Sequence, residues 1–334
     1  MIWQPAPDAP VEELSLIIAT SMTFSFFSET REDGFWMQKK KLLTPASNRH
    51  LPRVLRSGGT RPVSPPCKRE KFSMTSIRIL SLAAATALTA FGAQAAQVVG
   101  LAGDKTLVMF DTANPEISKS MDVTGVDRLV GIDYRPANQT IVGVTADNVI
   151  VTIDPETGAA TELAKMDKPL TIGDAPVVVN FNPAADRLRY MTGTTNHRVH
   201  PDTGEVTVDG SLVFEEGDMH KGETPNTVAA AYTNSVGKPE TAAMYNIDAT
   251  IGALIQQTKP NDGTLKAIGK LGIESMPTTY AFDIEAGADG MNTAWLVADS
   301  ALYTVNLETG AATKAGDITG APAQIKSITV IPAM

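Results

Sequence analysis

The sequence predicts an all-β protein, a five-bladed β-propeller of repeats about 47 residues long that occupies residues 96–334. Three observations lead there. A turn rich in Pro, Thr and Gly returns at near-constant spacing, and a run dense in β-branched residues precedes each full copy. The two ends of the region also hold complementary fragments of one repeat.

Residues 1–73 hold 11 Lys and Arg, 7 Asp and Glu, 8 of the 21 Pro and the single Cys, Cys67. They show no sustained periodicity and read as an extension upstream of a true start at Met74, without a fold of their own. From Met74 the chain runs MTSIRILSLAAATALTAFGAQA. Arg78 is followed by an apolar stretch of about 13 residues and then by Ala93-Gln94-Ala95, the pattern of a cleaved export signal. That stretch is short of the ~20 residues that cross a bilayer as a helix. Cleavage between Ala95 and Ala96 is expected, with the mature protein periplasmic or secreted.

The repeats follow in order. Segments 98–101, 107–110 and 118–123 read as three outer strands with a turn at Asp111-Thr112-Ala113-Asn114-Pro115. The inner strand of the next blade is expected at 129–136 and its outer turn at Asp154-Pro155-Glu156-Thr157-Gly158. The third blade has its inner strand at 177–183 and turn at His200-Pro201-Asp202-Thr203-Gly204. The fourth pairs 228–232 with Lys259-Pro260-Asn261-Asp262-Gly263, and the fifth pairs 280–284 with Asn306-Leu307-Glu308-Thr309-Gly310. Spacings between turns are 43, 46, 59 and 47, so one blade carries an insertion. In such a turn an Asp or Asn side chain accepts a backbone N–H two residues on, Pro pre-sets φ, and Gly supplies a positive φ. Each copy therefore reads as the hairpin between the outer two strands of a blade. A last inner run, 325–332, has no outer strands after it. Pairing it with the three N-terminal strands closes the ring and removes the edges an open array would expose. A β-sandwich is the structural runner-up, but it leaves the repeat unexplained.

At Val179-Asn180-Phe181-Asn182-Pro183-Ala184-Ala185-Asp186-Arg187-Leu188-Arg189, and again at Val199-His200-Pro201-Asp202-Thr203-Gly204, the chain resembles the bacterial family called domain of unknown function 4394. The likeness extends to Pro260-Asn261-Asp262-Gly263-Thr264-Leu265 and Leu302-Tyr303-Thr304-Val305-Asn306-Leu307, over roughly residues 97–332. It implies an exported protein with propeller-like repeats and leaves the chemistry open. Asn180 stands where the family's Asp-Phe-Asn-Pro form begins with Asp, and His200 where Asn is usual, which weakens any charge-critical role at those two positions.

Residues 96–334 carry 16 Lys and Arg against 30 Asp and Glu, a formal charge of −14, and no Cys. Disulfides, Cys-ligated zinc and thiol catalysis are excluded there. Nucleic acid and anionic membranes are disfavoured as partners, because both need a basic footprint. No nucleophile elbow, phosphate-binding loop, zinc-protease or dinucleotide motif occurs in this region. Asp186, Arg187 and Arg189 form the densest polar cluster beside an inner strand. With Asn182, Asn196 and Arg198 they are the candidate ligand contacts at a funnel rim, since Arg presents a rigid fork to carboxylates. The competing reading is an inter-blade ion pair. His197 and His200 are three apart, on opposite faces of a strand, which disfavours a shared metal, and His200 occupies the turn position of Asp154 and Asn306. The acidic loop 215–223, with His220, reads as a solvated loop; any cation there would be Ca²⁺. Tyr134, Phe181 and Tyr232 share one inner-strand position and read as core.

The expected function is a non-enzymatic binding or interaction module, monomeric, with no predicted cofactor and a small ligand, glycan or envelope protein as partner. The alternative is an extracytoplasmic hydrolase or lyase using acids gathered at the central funnel. A purely structural envelope module is the third reading.

Overall fold

The computed structural model describes residues 95–287 and 289–332. The expected extension at 1–73 and the export segment up to residue 94 lie outside them. The described residues contain strands and turns and no helix. The chain begins with β1 (Gln97–Ala102), β2 (Thr106–Asp111) and β3 (Asn114–Asp122). The second blade is β4 (Leu129–Arg135), β5 (Thr140–Thr145), β6 (Val149–Ile153) and β7 (Ala160–Lys165). The third is β8 (Val177–Asn182), β9 (Arg187–Thr192), β10 (Thr195–Val199) and β11 (Val206–Val208). After a short strand β12 (Val213–Phe214) come β13 (Thr227–Tyr232), β14 (Met244–Asp248), β15 (Ala253–Lys259) and β16 (Thr264–Lys270). The fifth blade is β17 (Tyr280–Ala286), β18 (Asn292–Ala298), β19 (Ala301–Val305) and β20 (Ala312–Asp317), and β21 (Ile325–Ile331) ends the series.

These strands form five small sheets, a five-bladed β-propeller. The first sheet has the order β21-β1-β2-β3, with Gln97 opposite Ile331, so the C-terminal strand completes the N-terminal blade as expected. Each inner strand contacts the next around the ring: β4 with β8, β8 with β13, β13 with β17, β17 with β21, and β21 with β4. The extra length behind the 59-residue spacing lies in the long β13–β14 loop and in the connection that carries β12, which pairs in parallel with β16 and gives the fourth blade a fifth strand.

Why the inner runs are dense in apolar residues is visible in the packing. Successive side chains of a strand point to opposite faces, and each blade is covered on both. In the first blade Val98, Val108 and Phe110 pack against Trp295, Val297 and Leu302 of the fifth. The alternate residues Val99, Leu101, Leu107 and Met109 pack against Leu129, Ile141 and Ile153 of the second. The core is divided in this way into five wedges, one at each junction between blades.

The outer hairpins form as the turn chemistry predicts. Asp154 Oδ1 accepts the N–H of Glu156 at 2.8 Å, and the Gly158 N–H returns to the Asp154 carbonyl at 2.8 Å. His200 Nδ1 takes the equivalent N–H, from Asp202, at 3.3 Å, so the imidazole nitrogen substitutes for the side-chain oxygen of Asp154 and Asn306 in the sister turns. These hairpins also reach the neighbouring blade. Thr124 N–H donates to the Gly158 carbonyl at 2.9 Å, Asp167 N–H to Gly204 at 3.0 Å, and Gly210 N–H to Asn261 at 2.9 Å.

Candidate functional site

All five inner strands begin at one end of the ring and finish at the other, and the two ends differ. Where they finish, a polar side chain from one blade accepts a backbone N–H from the next. Phe181 N–H donates to Asp133 Oδ2 at 2.6 Å, Tyr232 N–H to Asn180 Oδ1 at 3.0 Å, Val330 N–H to Asp283 Oδ2 at 2.7 Å, and Tyr134 N–H to Thr329 Oγ1 at 2.9 Å. The remaining junction has Ala231 at the matching position, which can accept nothing. There the Ile284 N–H turns to Asp283 Oδ1 at 2.8 Å, and Ser235 Oγ donates to the Ile284 carbonyl at 2.9 Å. Thr329 Oγ1 in turn donates to Asp133 Oδ1 at 3.0 Å.

Asp133 and Asp283 thus converge from different blades, both buried. Burial pushes the Asp283 carboxyl up to about 6. Burial and the nearby Asp283 charge likewise hold Asp133 well above the usual carboxylate range. The space between them is only about 10 Å³, and their oxygens are occupied by backbone N–H groups and Thr329. One water molecule fills such a volume, and no substrate does. Their chemistry is that of fasteners between blades.

Where the inner strands begin, the ring opens into a cavity of about 400 Å³. Every blade contributes: Lys326 from the first, Arg128 and Val130 from the second, Val177 from the third, Val228 from the fourth and Tyr280 from the fifth. Its floor is apolar, and below it the axis narrows to about 20 Å³ between Val178, Ala229, Ala281 and Ile328. Lys326 Nζ donates to the Leu129 carbonyl at 2.9 Å. Burial and the neighbouring Arg128 charge hold its pKa below the usual lysine value. Arg128 Nε lies 3.6 Å from the exposed Asp104. Tyr280 is buried in the wall, and its hydroxyl has no hydrogen-bond partner among the described residues. A larger cavity, about 750 Å³, opens between the first two blades. Its walls are the apolar wedge residues Val99, Met109, Ile141 and Ile153, and no cation lines it.

The residues expected at a funnel rim lie away from this mouth. Asn182 ends β8, Asp186 lies in the turn that follows and Arg187 begins β9, at the opposite end from Val177. Asn182 Oδ1 accepts the N–H groups of Ala184 and Ala185, and Arg187 donates to the carbonyls of Ala185 and Asp186. Asp186 takes a bidentate pair from the buried Arg135 of the second blade, which also binds Asp202 at 2.6 and 2.9 Å. The other three form a second cluster. Arg189, 2% exposed, donates to Tyr232 Oη, Asn196 Oδ1, Asp209 Oδ2 and Asn261 Oδ1. Asn196 donates to the carbonyls of Gly210 and Pro260, and Arg198 shares Asp209. Both clusters tie one blade to the next through a buried arginine, Arg135 or Arg189, whose three guanidinium nitrogens all find partners, because guanidinium groups buried between sheets need carboxylate and amide partners.

Among the described residues no three His, Cys, Asp or Glu side chains form a metal site. His197 is buried on β10 with its pKa lowered by burial, and Nδ1 has no partner among the described residues. In the acidic loop His220 Nδ1 pairs with Glu223 at 2.9 Å and its ring tilts against Phe214, while Asp218 receives the N–H groups of His220 and Ala267. Phe181 and Tyr232 are core residues, and Tyr134 is half-buried. The aromatic stripe is plain in the sequence, whereas the polar residue that precedes it is not. Asp133, Asn180, Asp283 and Thr329 share that register, and aligning the five inner strands reveals it.

The family described as "Domain of unknown function (DUF4394)" matches the chain over residues 106–329. Among solved structures the chain is similar to a protein of unknown function from Bacteroides caccae, at 10% identity and a TM-score of 0.39, covering 71% of this chain and 99% of that one. It is also similar to a structural genomics protein of unknown function from Bacteroides thetaiotaomicron VPI-5482, at 14% identity and TM-score 0.42, covering 70% and 66%. An auxiliary nutrient binding protein from Bacteroides ovatus ATCC 8483 matches at 14% identity and TM-score 0.38, covering 65% and 57%. The chain spans less than two thirds of the length of the last two. At such scores these likenesses transfer nothing to this chain. No curated protein matches it. No helix of the described residues is long and apolar enough to cross a membrane.

Proposed function

The chain belongs to the DUF4394 family, and from that premise we propose that it is an exported, non-enzymatic propeller that binds a small ligand in its axial cavity. The observation that carries this reading is the cavity of about 400 Å³ to which all five blades contribute. Its volume lies within the range of small-molecule sites, and its lining sets aliphatic residues beside polar groups that can fix a ligand's orientation. Export rests on the pattern of Met74 to Ala95. The hydrolase or lyase alternative asks for convergent acids that can touch a substrate, and the two that converge, Asp133 and Asp283, are enclosed.

The test is a thermal-shift screen of the purified protein against glycans, small acids, neutral metabolite-like compounds and metal ions. Ligand at 100 times its Kd stabilises the folded state by about 2.7 kcal/mol, a shift of several degrees. The expected outcome is a hit that Val177→Trp, which fills the mouth of the cavity, abolishes. A screen without any hit, or a hit indifferent to V177W, overturns the reading.

A further inference from the structure

Building on the axial cavity as a ligand site, we infer that its ligand is a small organic carboxylate with an apolar body, its charge held between Lys326 and Arg128. Lys326 lies half-buried on β21 and uses one N–H on the Leu129 carbonyl. No carboxylate stands within ion-pair distance of it among the described residues. Arg128 is close enough to depress the Lys326 pKa further, so the ring brings two like charges together over an apolar floor. Water removal and mutual repulsion both oppose that arrangement, and an anion between the two cations relieves both. Asp104, exposed and 3.6 Å from Arg128, offsets part of this charge on both cations but forms no ion pair with Lys326.

The rest of the cavity specifies the body of the ligand. Val130, Val177 and Val228 present aliphatic surface where it would rest. Asp174 is the carboxylate in the lining, and it disfavours dianions more than monoanions. Because residues 96–334 carry a formal −14, long-range attraction does not draw an anion in, and selection falls to the two local cations.

The experiment is calorimetric titration with matched probes: benzoate and hexanoate against benzamide and hexanamide, plus a neutral oligosaccharide. The expected result is heat of binding for the carboxylates alone. Lys326→Met should weaken it about tenfold or more, as loss of a charge-assisted hydrogen bond does. Since K326M also removes the Leu129 contact, the half-exposed Arg128→Gln serves as a second variant, with a several-fold loss expected. Amides or sugars that bind while carboxylates stay silent overturn the carboxylate assignment and leave the cavity as a ligand site. Carboxylate binding unchanged in both variants overturns the placement between the cations. Failure of every probe here and of the wider screen overturns the ligand site itself, and the carboxylate assignment with it.

Discussion

Asp283 shows how a single side chain can fasten a fold and tax it. It receives two backbone N–H bonds, at 2.7 and 2.8 Å, and its burial disfavours the charge that those bonds favour. Burial prevails, lifting the carboxyl from 3.8 to about 6. The folded protein therefore keeps this proton at pH values where the unfolded chain has released it. Stability from this group is greatest below pH 4 and falls as the pH rises from about 4 to about 6, by an amount on the order of 1–3 kcal/mol. Asp202 acts in the opposite sense. The Arg135 guanidinium holds its carboxyl below the ordinary value, so its contribution is lost only as pH falls below about 4. Asp283→Asn should therefore flatten the dependence of Tm on pH between 4 and 7 while lowering Tm at pH 4, where one N–H loses its acceptor. A thermal melt series in that window checks this, and a slope unchanged from wild type would sink the assignment.

At the scale of elements, the outer hairpin is a clasp as well as a turn. Gly204 has φ +73°, and a Cβ placed there would stand 2.0 Å from the Lys165 carbonyl oxygen of the preceding blade. Gly193 has φ +56° with nothing within 4 Å. The two separate the cost of left-handed backbone from the cost of crowding a neighbour. Gly193→Ala should lose about 1 kcal/mol, and Gly204→Ala roughly 2–4 kcal/mol, because overpacking adds to the backbone strain. Chemical denaturation measures both, and equal losses would show that the close approach is immaterial. The hairpins were legible in the sequence because their chemistry is local: Asp154, Pro155 and Gly158 act within one turn. The inner strands were legible because residues such as Val177 to Val179 face apolar neighbours on both sides. The fasteners were harder to read. Asp133 meets Phe181, 48 residues on, and Thr329, 196 residues on. The polar cluster around Arg189 stood out by composition, yet composition does not distinguish an arginine facing a ligand from one matched by Asp209 and Asn261. The cavity was the least legible part, since Arg128, Val177 and Lys326 lie at strand entrances that share no motif and meet only when the ring closes.

For the whole molecule, that closure rests on β21. It supplies the inner strand of the first blade, Lys326 of the cavity, and the Ser327 and Thr329 hydroxyls that bond to Ile132 and Tyr134. Deleting residues 325–334 should abolish the cooperative thermal transition and leave aggregating material, because β1 becomes an open edge and β4 loses the strand packed beside it. A shortened chain that melts like the original by circular dichroism and elutes as a monomer would show that four blades suffice. The pairing of Gln97 with Ile331 also sets a tempo. Hairpins within a blade close over a handful of residues, whereas this contact joins positions near the two ends of the described chain. Loop-closure entropy grows with the logarithm of length, so joining those ends costs about 3–4 kcal/mol more than closing a short turn. Four blades can be half-made in any order, but the circle is completed last, as a slow step that waits for the final strand.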